Sequence, residues 1–183
     1  CNNRCTYCAI PLIRGNFRSR KLEDILTEIR WITKTDKKEI CLISQDLTKY
    51  GSDVGLTLVD LLKEVIKIDN LPWIRLLYLY PDEISDELID FISLHTDKIL
   101  PYFDIPIQHA SNRLLEKMHR RGDKELIKNL IQKIRSKVKD VVIRTTIIVG
   151  FPTETDDDFN ELLDFVSEVK FDHLGAFTYS REE

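Results

Sequence analysis

Short apolar runs alternate with helical periods along almost the whole chain, and this alternation is the feature that most limits the possible folds. The strongest strand-like run is "VVIRTTIIVG", and "EICLISQD" is a second one. Apolar residues between such runs recur at helical spacing, as in "TLVDLLKEVIKI", where Thr57 and Asp60 have the spacing of a capping box. Strand and helix alternate about five times, which predicts a parallel sheet with helices outside it and strands buried on both faces.

The length of the chain narrows this prediction. At 183 residues it forms one domain, without linkers or internal repeats. A complete eight-unit barrel has about 250 residues, so we predict an α/β fold of the partial TIM-like barrel type over residues 1–183. An open doubly wound sheet is the alternative, but no G-x-G-x-x-G motif supports it. Within the domain, "SNRLLEKMHRRG" predicts a helix that begins after Ser111 and stops at Gly122.

Three cysteines occur in the first eight residues, at Cys1, Cys5 and Cys8, with the spacing C-x3-C-x2-C. Disulfide pairing is disfavoured, because three adjacent thiols cannot all pair and secreted scaffolds distribute their cysteines along the chain. A structural zinc site requires four ligands, and Cys41 lies in a strand-like run where a lone cysteine is usually buried. Three thiolates can hold an iron–sulfur cubane and leave one iron open, so the spacing favours a cluster over zinc.

Polar residues follow the predicted strands, at the edge where parallel α/β folds place their active sites. The segments concerned are Ser44-Gln45-Asp46, Tyr80-Pro81, Gln108-His109, Gly150-Phe151-Pro152 and Tyr179-Ser180. Arg144, inside a strand, either pairs with a neighbouring acid or clamps a carboxylate or ribose. Gln108 either binds a ligand or caps backbone groups, and His109 is more commonly structural than a base. Together these residues suggest a ligand pocket.

Composition excludes several function classes. The formal charge of −4 argues against bulk nucleic-acid binding. No apolar run reaches the ~18 residues of a membrane span, and the default location is the cytoplasm. Basic residues in the first 22 positions, which include Arg4, Arg14 and Arg18, form either a solvated loop or a patch for an anion. A second basic stretch, from Lys117 to Lys139, is interpreted as the wet side of two helices.

The cysteine motif, with Tyr7 before its last cysteine, resembles the signature of the radical S-adenosylmethionine (SAM) enzymes. Several other segments resemble the methylthiotransferases within that group: "CTYCAIPLIRGNFRSR", "ISQDLTKYG", "YLYPDEI", "DIPIQHASNRLLEKMHR", "RTTIIVGFPTET" and "FTYSREE". The segments "ISQD", "YP" and "FTYS" are more similar to the branch that modifies a ribosomal protein than to the branch that modifies tRNA adenosine. The resemblance covers nearly the whole chain and implies a partial (β/α)6 barrel.

The resemblance also implies roles for individual residues. Cys1, Cys5 and Cys8 would bind a [4Fe–4S] cluster, and SAM would chelate the open iron through its amino and carboxylate groups. The other implied SAM contacts are Tyr7 near the adenine, Ser44, Gln45 and Asp46 near the methionine amino group, Gln108 and Arg144 at the methionine or ribose, and Gly150 and Phe151 at the adenine pocket.

The activity implied by the resemblance is cleavage of SAM to a 5′-deoxyadenosyl radical and methylthiolation of an aspartate β-carbon in a small-subunit ribosomal protein. A reductant such as flavodoxin or ferredoxin would be a partner. The chain starts at Cys1 and has no initiator Met, so we expect an excised core that lacks two domains of the family. One precedes the core and carries a second [4Fe–4S] cluster, and the other is a small β-barrel that follows it. Such a core should bind SAM without completing methylthiolation.

Two alternatives stay open at this point. A tRNA-adenosine methylthiotransferase core shares the chemistry and differs in its partner. A zinc-stapled binding module without catalysis belongs to a different class, and it would hold zinc rather than iron.

Overall fold

The computed structural model describes residues 1–181 and shows one five-stranded parallel sheet in the order β1-β2-β3-β4-β5. Residues 182–183, the end of the predicted domain, lie outside the described part. The strands are β1 (Glu39–Leu42), β2 (Trp73–Leu76), β3 (Ile99–Asp104), β4 (Val142–Val149) and β5 (His173–Thr178). The strand order follows the chain without a reversal, which excludes the doubly wound alternative and is the arrangement of a barrel segment.

Seven helices connect or precede these strands in residues 1–181. They are α1 (Ile10–Arg14), α2 (Leu22–Ile32), α3 (Leu58–Val65), α4 (Asp86–Leu94), α5 (Asn112–Lys117), α6 (Lys124–Lys137) and α7 (Asp156–Val169), with a short 3₁₀ turn at Pro81–Glu83. The capping box predicted for α3 is present, since Thr57 accepts from the Asp60 backbone and Asp60 accepts in return. A second capping box, Thr155 with Asp158, begins α7.

The core lies between the helices and one face of the sheet. Strand register places Ile40 opposite Ile74, Leu42 opposite Leu76, and Phe103 opposite Ile143. Ile74, Leu76, Phe103 and Ile143 have no exposed surface, and each such side chain contributes about 1.5–3 kcal/mol of burial energy. Consecutive helices α2, α3, α4 and α6 contact one another in this order, so they cover the same face.

The opposite face of the sheet differs from the prediction. Burial along β4 alternates: Ile143 and Thr145 are buried, whereas Arg144 and Thr146 are only half-buried. The expectation of strands buried on both faces is therefore wrong for β4. The physical reason is that this face carries polar side chains: Arg144 pairs with Asp104, and Thr146 lines the cavity at the strand ends.

Two local predictions also need correction. Cys41 is exposed rather than buried, because β1 is an edge strand and Cys41 points to the uncovered face, opposite Arg75. Helix α5 ends at Lys117 instead of continuing to Gly122, because His119 has a left-handed backbone with φ of 53°. Strand β3 ends at Asp104, before Pro106, which has no backbone N–H for a sheet hydrogen bond.

Within residues 1–181, the helices are all too short or too polar to traverse a lipid bilayer.

Candidate functional site

A cavity of about 210 Å³ lies at the carboxyl ends of the strands. Gln45 follows β1, Tyr78 and Tyr80 follow β2, and Gln108 follows β3, so the connecting loops supply much of its wall. We call it the cysteine cavity, and its lining residues are Cys1, Asn3, Arg4, Cys5, Tyr7, Cys8, Ile10, Pro11, Gln45, Tyr78, Leu79, Tyr80, Pro106, Gln108, Arg120 and Thr146. A cavity therefore lies at the strand ends, and Gln45, Tyr80 and Gln108 of the predicted segments line it, whereas the segments after β4 and β5 (150–152 and 179–180) do not.

The three cysteines of the motif all line this cavity, and each has a free, half-buried thiol. The segment that carries them is attached to the loop after α5, where the Thr6 backbone N–H and hydroxyl donate to the carbonyls of Met118 and Lys117 at 3.1 and 2.9 Å. A tight turn then returns the chain, since Cys8 N donates to Cys5 O at 3.1 Å. The spacing C-x3-C-x2-C thus folds into one loop facing one cavity.

The chemistry of the donors fits an iron–sulfur cluster. Three free cysteine thiols line one cavity, and thiolates are the ligands of such clusters, in which three of them leave one iron open. Among residues 1–181, no group of three His, Cys, Asp or Glu side chains is arranged to hold a single metal ion.

Tyr7 lies between the cysteines and a small apolar cluster. Tyr7 packs against the cluster of Leu114, Met118 and Phe151, and burial raises the pKa of Tyr7 well above its usual range, although the Arg120 charge lowers it. Phe151 contacts the ring of Tyr179 edge to face, with 5.4 Å between centroids. Tyr7 and Phe151, to which the family resemblance assigns adenine contacts, therefore belong to the same apolar cluster, although Phe151 does not line the cavity.

The three residues after β1 have separate positions. Gln45 lines the cavity, whereas Ser44 lines a different groove beside α2. Asp46 is almost fully buried and accepts hydrogen bonds from the Asn3 amide at 2.9 Å and the Thr48 hydroxyl at 2.6 Å. Because Asn3 belongs to the cysteine loop, Asp46 holds that loop against the sheet.

Gln108 is placed at the cavity by an unusual backbone. Its φ is 71°, a left-handed value that is uncommon for a residue other than glycine. Two hydrogen bonds to β4 hold it there: Gln108 N donates to Thr146 O at 2.9 Å, and Ile148 N donates to Gln108 O at 2.8 Å. The side chain of Gln108 lines the cavity.

Arg144 and Gly150 lie outside the cavity wall. Arg144 donates to Asp104 at 2.7 Å, and the other Asp104 oxygen accepts from Tyr78 N at 3.0 Å. The ion pair that the sequence leaves open is therefore present, and it supports the loop that carries Tyr78. Gly150 has φ of 73° and begins the turn that leads into α7. The SAM contacts assigned to these two residues stay predictions.

A second polar group joins the loops after β3 and β4, behind the cavity. Ser111 N donates to His109 Nδ1 at 3.0 Å, so the proton of the ring lies on Nε2. Nε2 faces Glu154 Oε1, with 3.3 Å between the two atoms. The other oxygen of Glu154 accepts from Phe151 N at 2.9 Å. His109 is fully buried, which agrees with a structural histidine rather than a base.

The same group continues at Asp158, which accepts from the Ser111 hydroxyl at 2.7 Å and from the Thr155 N–H at 2.9 Å. Arg113 forms an ion pair with Asp158, and its hydrogen bond is the main reason why the pKa of Asp158 is far below its usual range. We call this group the loop network; its side chains are His109, Ser111, Arg113, Glu154 and Asp158. It holds the Gln108 and Phe151 segments together.

Residues that the sequence analysis missed also line the cavity, among them Asn3, Thr146 and Arg120. The Arg120 guanidinium lies 3.9 Å from the centroid of the Tyr80 ring, although its sequence position suggests a wet helix face. The left-handed turn at His119 ends α5 and directs Arg120 inward. The residue types give no signal for this turn.

The family model described as the Radical SAM superfamily matches residues 1–166. The chain is 55% identical over 185 aligned positions to the ribosomal protein uS12 methylthiotransferase RimO of Clostridioides difficile, covering all of this chain and 41% of that protein. The protein of the same name from Aquifex aeolicus is 51% identical, with 43% of its length covered. This chain thus spans about two fifths of the length of the curated relatives it matches.

Solved structures support the fold. The radical S-adenosylmethionine methyltransferase TsrM from Kitasatospora setae, with cobalamin and a [4Fe-4S] cluster bound, gives a TM-score of 0.74 at 16% identity over 97% of this chain and 34% of that chain. Methylornithine synthase (PylB) gives 0.68 at 14% identity, over 100% of this chain and 51% of that one. The predicted partial TIM-like barrel is confirmed, with five strands in the described residues rather than six. On the family match and this fold, the chain belongs to the radical SAM superfamily.

Proposed function

We propose that this chain is the cluster- and SAM-binding core of a methylthiotransferase that modifies an aspartate of ribosomal protein uS12. The observation that carries the proposal is the placement of three free cysteine thiols around one cavity at the carboxyl ends of the strands. The identity of 51–55% to proteins named for this activity supports the choice of reaction and substrate.

Cys1, Cys5 and Cys8 would hold a [4Fe–4S] cluster at the cavity that all three residues line. Gln45 and Gln108 line that cavity and offer amide groups to the amino and carboxylate ends of SAM. When bound, the cluster and SAM would supply one-electron radical chemistry, which is suited to the unactivated C–H bond of an aspartate β-carbon. The chain itself positions the cofactors and limits the access of water.

The finer parts of the proposal concern partners. The substrate would be the folded or ribosome-bound uS12 protein in the cytoplasm, and a small reductant protein such as flavodoxin or ferredoxin would deliver the electron. A second [4Fe–4S] cluster would be bound by chain outside these 183 residues. The core would therefore cleave SAM, and full methylthiolation would need the longer protein.

Anaerobic reconstitution with iron and sulfide tests the cofactor part of the proposal. The expected result is a brown protein that releases 5′-deoxyadenosine from SAM when dithionite is added. The triple variant Cys1→Ala, Cys5→Ala, Cys8→Ala should lose both colour and nucleoside. Cys41→Ala is the matched control, because Cys41 is exposed on β1 and does not line the cavity. A colourless protein with tightly bound zinc would contradict the proposal.

Mass spectrometry of a strain that lacks the gene tests the substrate. The uS12 peptide that carries the aspartate should lose the methylthio group, and tRNA adenosines should keep theirs. The reverse result would assign the chain to the tRNA branch.

A further inference from the structure

Tyr80 carries a buried hydroxyl that has no hydrogen-bond partner among the described residues. The residue is only 6% exposed and lines the cysteine cavity together with Cys5. Buried hydroxyl groups are nearly always paired, so an unpaired one in a native fold points to a bound water, ion or ligand as its partner. Because the cavity is the proposed cofactor site, the missing partner belongs to that site.

The ring of Tyr80 is fixed in this orientation. Its backbone N–H donates to the Thr48 hydroxyl at 3.2 Å, and Pro81 follows directly in the 3₁₀ turn. The Arg120 and Arg121 guanidinium groups lie 3.9 and 5.1 Å from the ring centroid. Arg121 is itself held by Asp82 at 3.2 Å and by Glu83 at 2.6 Å. This packing holds the Tyr80 hydroxyl in the buried cavity wall.

Cys5 lines the same cavity wall as Tyr80. Burial raises the pKa of Tyr80, the Arg120 charge lowers it, and the nearby Cys5 raises it again, although the Tyr80 hydroxyl makes no hydrogen bond to Cys5 or to any other described residue. A thiol is a weak acceptor, but a thiolate bound to iron is a full anionic acceptor. A guanidinium on the face of the phenol ring draws electron density from the hydroxyl and makes it a stronger donor.

We infer that the Tyr80 hydroxyl donates a hydrogen bond to the Cys5 sulfur when that sulfur is a cluster ligand, and that it thereby raises the reduction potential of the cluster. This inference rests on the proposed function. Hydrogen bonds to the sulfurs are among the factors that set the potentials of such clusters, because they stabilise the more negative, reduced state. Tyr80 is thus a positioning residue that acts on the cofactor through Cys5, with Arg120 as its support.

An EPR-monitored redox titration of the reconstituted protein tests this role. Tyr80→Phe keeps the ring and its stacking but removes the hydroxyl, so the midpoint potential should become more negative while iron and sulfide content stay unchanged. Arg120→Gln should shift the midpoint in the same direction by a smaller amount. Tyr102→Phe is the matched control: Arg75 lies 4.3 Å from its ring centroid, but Tyr102 does not line the cavity. Its midpoint should equal that of the wild type.

A second measurement is specific for the hydrogen bond. The Fe–S(Cys) stretching bands in the resonance Raman spectrum of the wild type should shift in D₂O, and Tyr80→Phe should lose part of that shift. An unchanged midpoint and an unchanged isotope shift in Tyr80→Phe would overturn the inference. If Tyr80→Phe loses iron, the Arg120→Gln variant provides the test instead. An unchanged midpoint potential in Arg120→Gln would then overturn the inference. Failure of the wild type to bind any cluster would refute the proposed function instead, so the two failures are distinguishable.

Discussion

Two polar groups lie at the same end of the sheet and differ in how completely their hydrogen bonds are made. In the loop network, His109, Glu154 and Asp158 each have partners on a second loop. In the cysteine cavity, three thiols are free and the buried Tyr80 hydroxyl has no partner among residues 1–181. Both groups are built from loops that follow parallel strands, so the fold alone does not account for the difference.

The contrast separates a part of the molecule that stabilises the fold from a part that is prepared for ligands. A satisfied buried network adds to the free energy of unfolding, whereas an unsatisfied buried group subtracts from it until a ligand arrives. The loop network therefore stabilises the loops that form the cavity wall, and the groups of the cavity itself stay available for a ligand. Substitutions in the two groups should change stability by different amounts and with opposite signs.

Removal of the Asp158 carboxylate should give the largest loss of stability. Asp158→Ala leaves the Ser111 hydroxyl and the Thr155 N–H without their acceptor and removes half of a capping box. We expect the free energy of unfolding of the cluster-free protein to fall by about 2–3 kcal/mol. Urea unfolding followed by circular dichroism measures this change.

Asp157→Ala is the matched control, because Asp157 is exposed in the same first turn of α7. Its effect should stay within about 0.5 kcal/mol, as for ordinary surface substitutions. Equal losses in the two variants would show that the loop network does not stabilise the fold beyond the charge at the helix N-terminus.

The Asp158 carboxylate should also make the stability of the protein depend on pH. The hydrogen bond from Arg113 holds the pKa of Asp158 far below its usual range in the folded protein, whereas the unfolded value is about 3.9. A depressed folded-state pKa stabilises the protein above the unfolded pKa, and this stabilisation is lost as the pH falls below about 4.

Urea unfolding at a series of pH values tests this dependence. The difference in unfolding free energy between wild type and Asp158→Asn should be constant from pH 7 to about pH 5 and should narrow below about pH 4. A difference that is the same at every pH would show that the Asp158 charge has no part in the stabilisation.

Much of the fold could be predicted because its signals are local. The capping residue Thr57 and the apolar spacing of α3 belong to neighbouring positions in the sequence, and both predictions are confirmed. The apolar run around Val142–Val149 likewise predicts a strand, and the structure has β4 there. Helix α5 was predicted too long because a left-handed backbone at His119 ends it, and the sequence around that residue does not show such a turn.

The candidate site was predictable only in part, because its contacts depend on strand register. The spacing of the three cysteines predicts one metal-binding loop, and all three line the cavity; their role as cluster ligands stays a prediction. Arg144 pairs with an acid because the register between β3 and β4 places Asp104 beside it. A single sequence does not reveal this register. The same holds for Tyr80 and Arg120, which meet only after β2 and α5 are packed.

Removal of the Tyr80 hydroxyl should act in the opposite direction from the loop-network variants. In the cluster-free protein, Tyr80→Phe removes an unsatisfied buried group, so the free energy of unfolding should rise by about 1 kcal/mol. Tyr50→Phe is the matched control, because the buried Tyr50 hydroxyl donates to Arg20 O at 3.1 Å. It should lower the unfolding free energy by about 1 kcal/mol. A loss of stability in both variants would contradict the contrast between the two groups.

The three cysteines should have the smallest effect on stability, although they are expected to have the largest effect on cofactor binding. Their thiols are half-buried and the cysteine loop is held by Thr6 and Asn3 instead. We therefore expect the triple alanine variant to change the unfolding free energy of the cluster-free protein by no more than about 0.5 kcal/mol, because substitutions away from buried contacts rarely do more. In the reconstituted wild type, ligand linkage should add stability that this variant lacks. Equal unfolding curves for reconstituted wild type and variant would contradict a cluster held at the cavity, since binding to the folded state alone must stabilise it.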